Sequence, residues 1–317
     1  MLKKEFRNKK VAFVGASNIS HGIFLNYLRS SLLGEDIRLF NCGISGNRAD
    51  MLPSVIEKEL FLYEPDFCII TFGVNDMGIW LYDGEKEENE ALLRERNIRL
   101  DAYKKGLSES VEKLKLCGVV PIVASPFCVC REIEERKDVA TVKDNKEKAA
   151  LITSAFYTRK TFGRLNRGLA TFAGVAKSIA RDAEIEFLDL FGETYKRTQR
   201  RDFENDGIHF NEIGYKVVAD VFYEYLTGER RPQREVTDKI LKLAETEQKE
   251  RSVYFFLYNY LYGKSDVLSQ SEIIKCACDC IDGDNPEFMK RHARNFLEYG
   301  QKLIEIRKQI LRENKLK

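Results

Sequence analysis

Five short apolar runs recur along the first two-thirds of the chain, each followed by small or polar residues. They are Lys10–Val14, Ile37–Asn41, Phe67–Phe72, Val119–Ala124 and Ile185–Leu190. The apolar residues run on without strict alternation, as expected of strands covered on both faces of a parallel sheet. Between them lie segments with apolar residues at helical spacing. Ile23–Leu33 ends at Gly34, Leu92–Cys117 ends at Gly118, and Met51–Tyr63 and Leu165–Ala183 complete the set. Alternating strand and helix predicts a doubly wound α/β sheet with right-handed crossovers. In such a sheet, ligands bind at the carboxyl ends of the strands.

Two regions depart from the alternation. Cys128–Phe162 is long and charged and ends in TSAFYTRKTF. An insertion at that sheet edge is either a lid or site wall, or a plain surface excursion. A polar segment, Gly228–Arg234, contains Pro232 and reads as a linker. The domain reading is therefore 1–230 followed by a helical extension, 231–317, of three or four helices. Its aromatic run YFFLYNYLY (254–262) reads first as the core of a small bundle. A sugar-stacking platform and a dimer interface, making a homo-oligomer through these helices, are the alternatives.

Charge narrows the partners. The 52 basic and 50 acidic residues leave a net charge of +2, which predicts no nucleic-acid footprint and no polybasic membrane anchor. The basic start MLKKEFRNKK is followed only by VAFVGA before polar residues intervene, too short for a secretion signal. No run is long enough to cross a bilayer. Eight cysteines sit mostly in apolar contexts, so a reduced, cytoplasmic protein is expected. CACDC (276–280) invites a metal reading with His292. In a helix Cys278 would point away from Cys276 and Cys280, and no C-x-x-C pair is present, so no metal is expected.

The stretch VAFVGASNISHGI (11–23) admits two chemistries. Gly15 to Gly22 could cradle a dinucleotide pyrophosphate. That requires G-x-G-x-x-G and an acid closing the second strand, and the strand closes on Asn41. A Tyr-x-x-x-Lys spacing at Tyr260 and Lys264 falls beyond all five strands. No cofactor is expected. Alternatively the turn presents Ser17 as a nucleophile, which needs a base and an acid to orient it. Of three histidines, His209 lies in NDGIHFNEIGY with Asp206 three residues before it, after the last strand. That segment also suits a helix cap from Asp206 or Asn211. His21 follows Ser17 by four residues, on the first turn of the next helix; it reads first as a partly exposed helix residue, with pocket lining the alternative. Acyl transfer also needs oxyanion donors. Gly46 in NCGISGN and Asn75 in FGVNDMG follow the second and third strands and supply candidates.

Taken together, FVGASNIS, NCGISGN, FGVNDMG and DGIHFNEIGY resemble, in order, the four blocks of the SGNH hydrolases, the GDSL-type lipases and acylhydrolases. The resemblance covers roughly the first two-thirds of the chain. It implies a three-layer α/β/α, flavodoxin-like parallel sheet of about five strands. It also implies a Ser17–His209–Asp206 triad, with an oxyanion hole from the Ser17 and Gly46 N–H groups and the Asn75 side chain. Where the family usually has Asp before the nucleophile, this chain has Ala16. The implied activity is ester hydrolysis on a small-molecule or glycan ester; with no long apolar groove near the motifs and no export signal, a short acyl group such as acetyl on a carbohydrate is expected. Lipase, lysophospholipase and thioesterase chemistries occur on the same scaffold. A non-catalytic binding scaffold and an NAD(P)-dependent dehydrogenase are readings of another class.

Overall fold

The computed structural model describes residues 2–82, 89–129, 159–198, 208–261 and 268–315, and leaves the side chains of 57, 58 and 159–164 undescribed. Its strands are β1 (Lys9–Gly15), β2 (Ile37–Asn41), β3 (Phe67–Thr71), β4 (Val120–Ala124) and β5 (Phe187–Leu188). All pair in parallel in the order β2-β1-β3-β4-β5, the flavodoxin-like order.

The register explains why the strands are apolar without a break. Phe13, Ile69 and Ile122 align across the sheet, and Val14, Ile70 and Val123 form the next row. Successive residues point to opposite faces. The Val14 row joins a core with Leu52, Tyr103, Leu107 and Phe172. The Phe13 row joins one with Phe24, Leu28, Val218 and Phe222. The first core is roofed by α3 (Leu52–Val55), α4 (Glu90–Leu116) and α5 (Arg159–Asp182). The second is roofed by α2 (Ile23–Ser31) and α7 (Glu212–Thr227), giving the expected three layers.

Some boundaries differ from the sequence reading. The fifth strand is two residues long, because the Asp189 carboxylate accepts the Gly192 N–H at 2.9 Å and starts α6 (Leu190–Arg197). The helix expected from Leu165 begins at Arg159, inside the segment read as an insertion; residues 130–158 lie outside the described residues. Met51–Tyr63 is a broken run in which α3 passes into a π turn, Ile56–Leu60, and a 3₁₀ turn, Phe61–Tyr63.

Beyond α7 the chain continues as α8 (Asp238–Phe255), a π turn (Phe256–Tyr260), α9 (Gln270–Asp282), α10 (Glu287–Tyr299) and α11 (Leu303–Glu313). The stretch read as a linker is tied to the core. Arg231 is buried and donates to Asp220 at 2.6 Å, while Ser31 donates to the Pro232 carbonyl at 3.1 Å. The extension also covers the free edge of β2. Asn314 pairs its side-chain amide with the Leu39 backbone, and fully buried Arg29 reaches both the Leu39 carbonyl and Glu247. Tyr254 and Leu243 of α8 belong to the first core of the sheet, whereas Phe256 packs with Ala277, Cys280 and Ala293. The aromatic run thus divides between the sheet's core and the helical bundle.

Candidate active site

The carboxyl end of β1 closes tightly. A side chain at Gly15 would lie 2.6 Å from both the Thr71 carbonyl and Ile19. The chain turns at Ala16 into a single helical turn, α1 (Ser17–Ser20). Ala16 makes no side-chain cap; its carbonyl accepts the Ile19 and Ser20 N–H groups at 3.2 and 2.8 Å. Backbone bonds therefore close the turn without the customary aspartate. Ser17 opens this turn, where an N–H has no acceptor within the helix.

Ser17 Oγ lies 2.9 Å from Nε2 of His209. The residues are 192 apart in sequence and both are half-buried. What joins them is Asn18, a buried residue absent from the sequence-based site. Its Nδ2 donates to the Ile208 carbonyl at 3.1 Å, and its Oδ1 accepts the Phe210 N–H at 3.4 Å. One side chain next to the serine thus grips the backbone on both sides of the histidine. Asn211 caps α7 by accepting the Ile213 and Gly214 N–H groups, at 2.9 and 3.1 Å, which holds the other end of the segment. Asp206 lies outside the described residues.

His21 follows α1 directly and precedes left-handed Gly22, so it sits between two helices and not on the first turn of α2. It is exposed; its Nδ1 is 2.8 Å from the Tyr215 hydroxyl and its ring centroid 5.4 Å from that of His209. That position is on the rim beside the serine–histidine pair.

The loops after β2 and β3 meet the same edge. Ile44 N–H donates to the Gly15 carbonyl at 2.9 Å, which lays the second block alongside the nucleophile turn. A side chain at Gly43 would meet the Ser20 backbone nitrogen at 2.4 Å. Gly46 is exposed, with φ of +83°. Asn75 Nδ2 donates to the Asn47 carbonyl at 3.0 Å, linking the second block to the third. The buried Asp76 carboxylate accepts the Ala49 N–H at 2.6 Å. Burial pushes this carboxyl up to about 7, against the pull of its backbone donors. The sequence places Asp76 in a turn and gives no sign that it is a buried tether.

Other candidates part from this edge. His292 lies in α10 with Nδ1 2.6 Å from Ser252 Oγ. Cys278 is exposed while Cys280 is buried, and among the described residues no group of three or more His, Cys, Asp or Glu could hold a metal ion. Lys264 lies outside the described residues. Among the described residues no helix is long and apolar enough to cross a membrane.

Comparison with known proteins adds to this geometry. The model of the GDSL-like lipase/acylhydrolase family matches residues 15–217. An acetylxylan esterase from Geobacillus stearothermophilus is 24% identical over 189 residues, 59% of this chain and 70% of that protein. The solved structure of Axe2, an acetylxylan esterase of the same organism, superposes with a TM-score of 0.53 at 19% identity, covering 73% of this chain and 100% of that one. A gut microbial diltiazem-metabolizing enzyme superposes with a TM-score of 0.63 at 12% identity, covering 98% of this chain and 96% of that one. These likenesses in structure show a shared fold.

Proposed function

We propose that this chain, which belongs to the GDSL-like lipase/acylhydrolase family, hydrolyses carboxylic esters through Ser17, His209 and Asp206 and removes short acyl groups, acetyl foremost, from a carbohydrate alcohol. The observation that carries the reading is the 2.9 Å approach of Ser17 Oγ to His209 Nε2 at the carboxyl edge of the sheet. A serine hydroxyl becomes a useful nucleophile only when a base takes its proton. With the imidazole proton on Nδ1, Nε2 accepts the Ser17 hydroxyl proton as Oγ attacks the ester carbonyl. The imidazolium then gives that proton to the leaving alcohol. Water, deprotonated by the same Nε2, cleaves the acyl-serine, and Ser17 is restored.

Asp206 is assigned the orienting role. It precedes His209 by three positions. The catalytic mutants of Axe2 replace a serine, an aspartate and a histidine, the last two also three residues apart. The Ser17 and Gly46 N–H groups and the Asn75 amide are assigned to the developing oxyanion. Fixed donors of this kind act most strongly where charge appears in the transition state. The preference for acetyl on a carbohydrate rests on the acetylxylan esterase relative.

The test is a panel of esters varied in acyl length and alcohol, run with acetylated xylo-oligosaccharides. Highest kcat/KM on acetyl esters, with acetate released from the oligosaccharides, supports the assignment. A maximum on long-chain acyl esters would move the substrate to lipids while leaving the ester chemistry in place.

A further inference from the structure

The extension touches both catalytic loops from one helix. On the nucleophile side, Gln248 Nε2 of α8 donates to the Ser20 carbonyl at 2.7 Å and to the His21 carbonyl at 3.0 Å. On the oxyanion side, Asn259, in the π turn that continues α8, donates from Nδ2 to the Ser45 carbonyl at 2.9 Å and to the Phe255 carbonyl at 3.2 Å. Between them, buried Arg251 reaches the Gly43 carbonyl at 3.4 Å.

Asn259 is the closest of these to the oxyanion loop. A Cβ built on Gly46 would lie 2.4 Å from Asn259 Oδ1, so this amide occupies the space beside the Gly46 α-carbon. It is held there by two hydrogen bonds, and the Ser45 carbonyl it binds belongs to the peptide whose N–H is that of Gly46. A peptide unit is planar, so fixing its carbonyl fixes the direction of its N–H. The π turn sets this register. A π turn inserts a residue into a helix and is commonly found at functional sites.

We propose that Asn259 is a positioning residue of the oxyanion hole, supplied by the C-terminal extension, which aims the Gly46 N–H by holding the Ser45–Gly46 peptide through its carbonyl. The proposal rests on the ester-hydrolase reading above, in which Gly46 is an oxyanion donor. It makes the extension part of the working site.

The test is steady-state hydrolysis of p-nitrophenyl acetate by Asn259→Ala and by the isosteric Asn259→Asp, with Ser17→Ala in parallel and a melting curve for each. Asn259→Ala is expected to lower kcat about tenfold with KM within about twofold, because a donor is misaimed but not lost. Asn259→Asp keeps the volume, loses the amide donor and adds a negative charge beside the forming oxyanion. Its kcat is expected to fall further, and its activity relative to wild type to recover as the pH is lowered and the new carboxyl is protonated. A pure packing role would leave Asn259→Asp at wild-type kcat with a flat activity ratio across pH. That result, with Ser17→Ala inactive, overturns the inference and leaves the esterase reading standing. Full activity in Ser17→Ala would overturn the esterase reading and the inference with it.

Discussion

Ser17 and Ser252 each lie within hydrogen-bond distance of a histidine, at 2.9 Å from His209 and 2.6 Å from His292 respectively. Ser17 opens a single helical turn at the carboxyl edge of the sheet, half-exposed, and the loop after β2 lies alongside that turn through the Ile44 N–H to Gly15 carbonyl bond. Ser252 sits inside α8 at 5% exposure, and its hydroxyl also takes a hydrogen bond from Asn295 at 2.8 Å. His292 packs its ring 4.1 Å from that of Phe255, and burial, with help from Arg291, pulls its imidazole down to about 4. The two pairs share a contact and differ in setting. A nucleophile needs access for the ester and unused donors for the oxyanion, and a helix interior offers neither. A serine beside a histidine is therefore not by itself an active site.

The largest expected effect separates the pairs. Ser17→Ala should lower kcat on p-nitrophenyl acetate by about 10⁴-fold or more. Ser252→Ala should leave kcat within about twofold and register only as a lower melting temperature, because it unpairs His292 and Asn295. Next, Asn75→Ala should cost about 100-fold in kcat with little change in KM, the signature of a donor that acts in the transition state. Asn18→Ala should follow, lowering kcat about tenfold while Ser17 and His209 are both present, because the backbone around His209 loses its grip. In that variant kcat should fall by a larger factor than KM rises.

The smallest expected effects are in the pH dependence of stability, and their signs are opposite. His292 has a lowered folded value, so the unfolded chain binds a proton in the window from about 6.5 to about 4 while the folded chain does not. Its contribution is complete above that window and is lost as pH falls through it. Asp76 has a raised folded value, so the folded chain keeps its proton from about 3.8 up to about 7. Its contribution is largest at acid pH and is lost as pH rises through that window. Urea midpoints of His292→Gln and Asp76→Asn, each taken relative to wild type across pH 4 to 8, should therefore slope in opposite directions. Parallel slopes would mean that one of the two groups is not buried as described.

How much of this was legible in the sequence follows from the range of each interaction. The strands announce themselves because both faces are covered, so Val11–Gly15 and Phe67–Thr71 are apolar without needing any partner to be known. The blocks around Ser17, Gly46, Asn75 and His209 are legible because each joins glycine to polar residues just after a strand or before a helix, and because the chain has only three histidines to supply a base. Asn18 is not legible, because its partners lie 190 and 192 residues away and nothing local marks it. Asn259 is hidden in the same way, 214 residues from Ser45, inside a run whose aromatics read as packing. The charged residues of α8 carry no local sign of where they lie. Glu247, Glu250 and Arg251 would suit a solvated face, but they are buried against Arg29, Glu59, Tyr63 and Arg307. Removing one member of such a network typically costs about 3–5 kcal/mol, since its partner is left charged and dry. Periodicity gives a helix its faces but not the neighbour that each face meets.

The most direct measurement is labelling of the native protein with a fluorophosphonate, followed by peptide mapping of the adduct. The reagent reacts with a serine that is both accessible and activated by a base. A single adduct on Ser17, absent after His209→Ala and unchanged in Ser252→Ala, is the predicted result. An adduct on Ser252, or a native protein that takes no label at all, would contradict it.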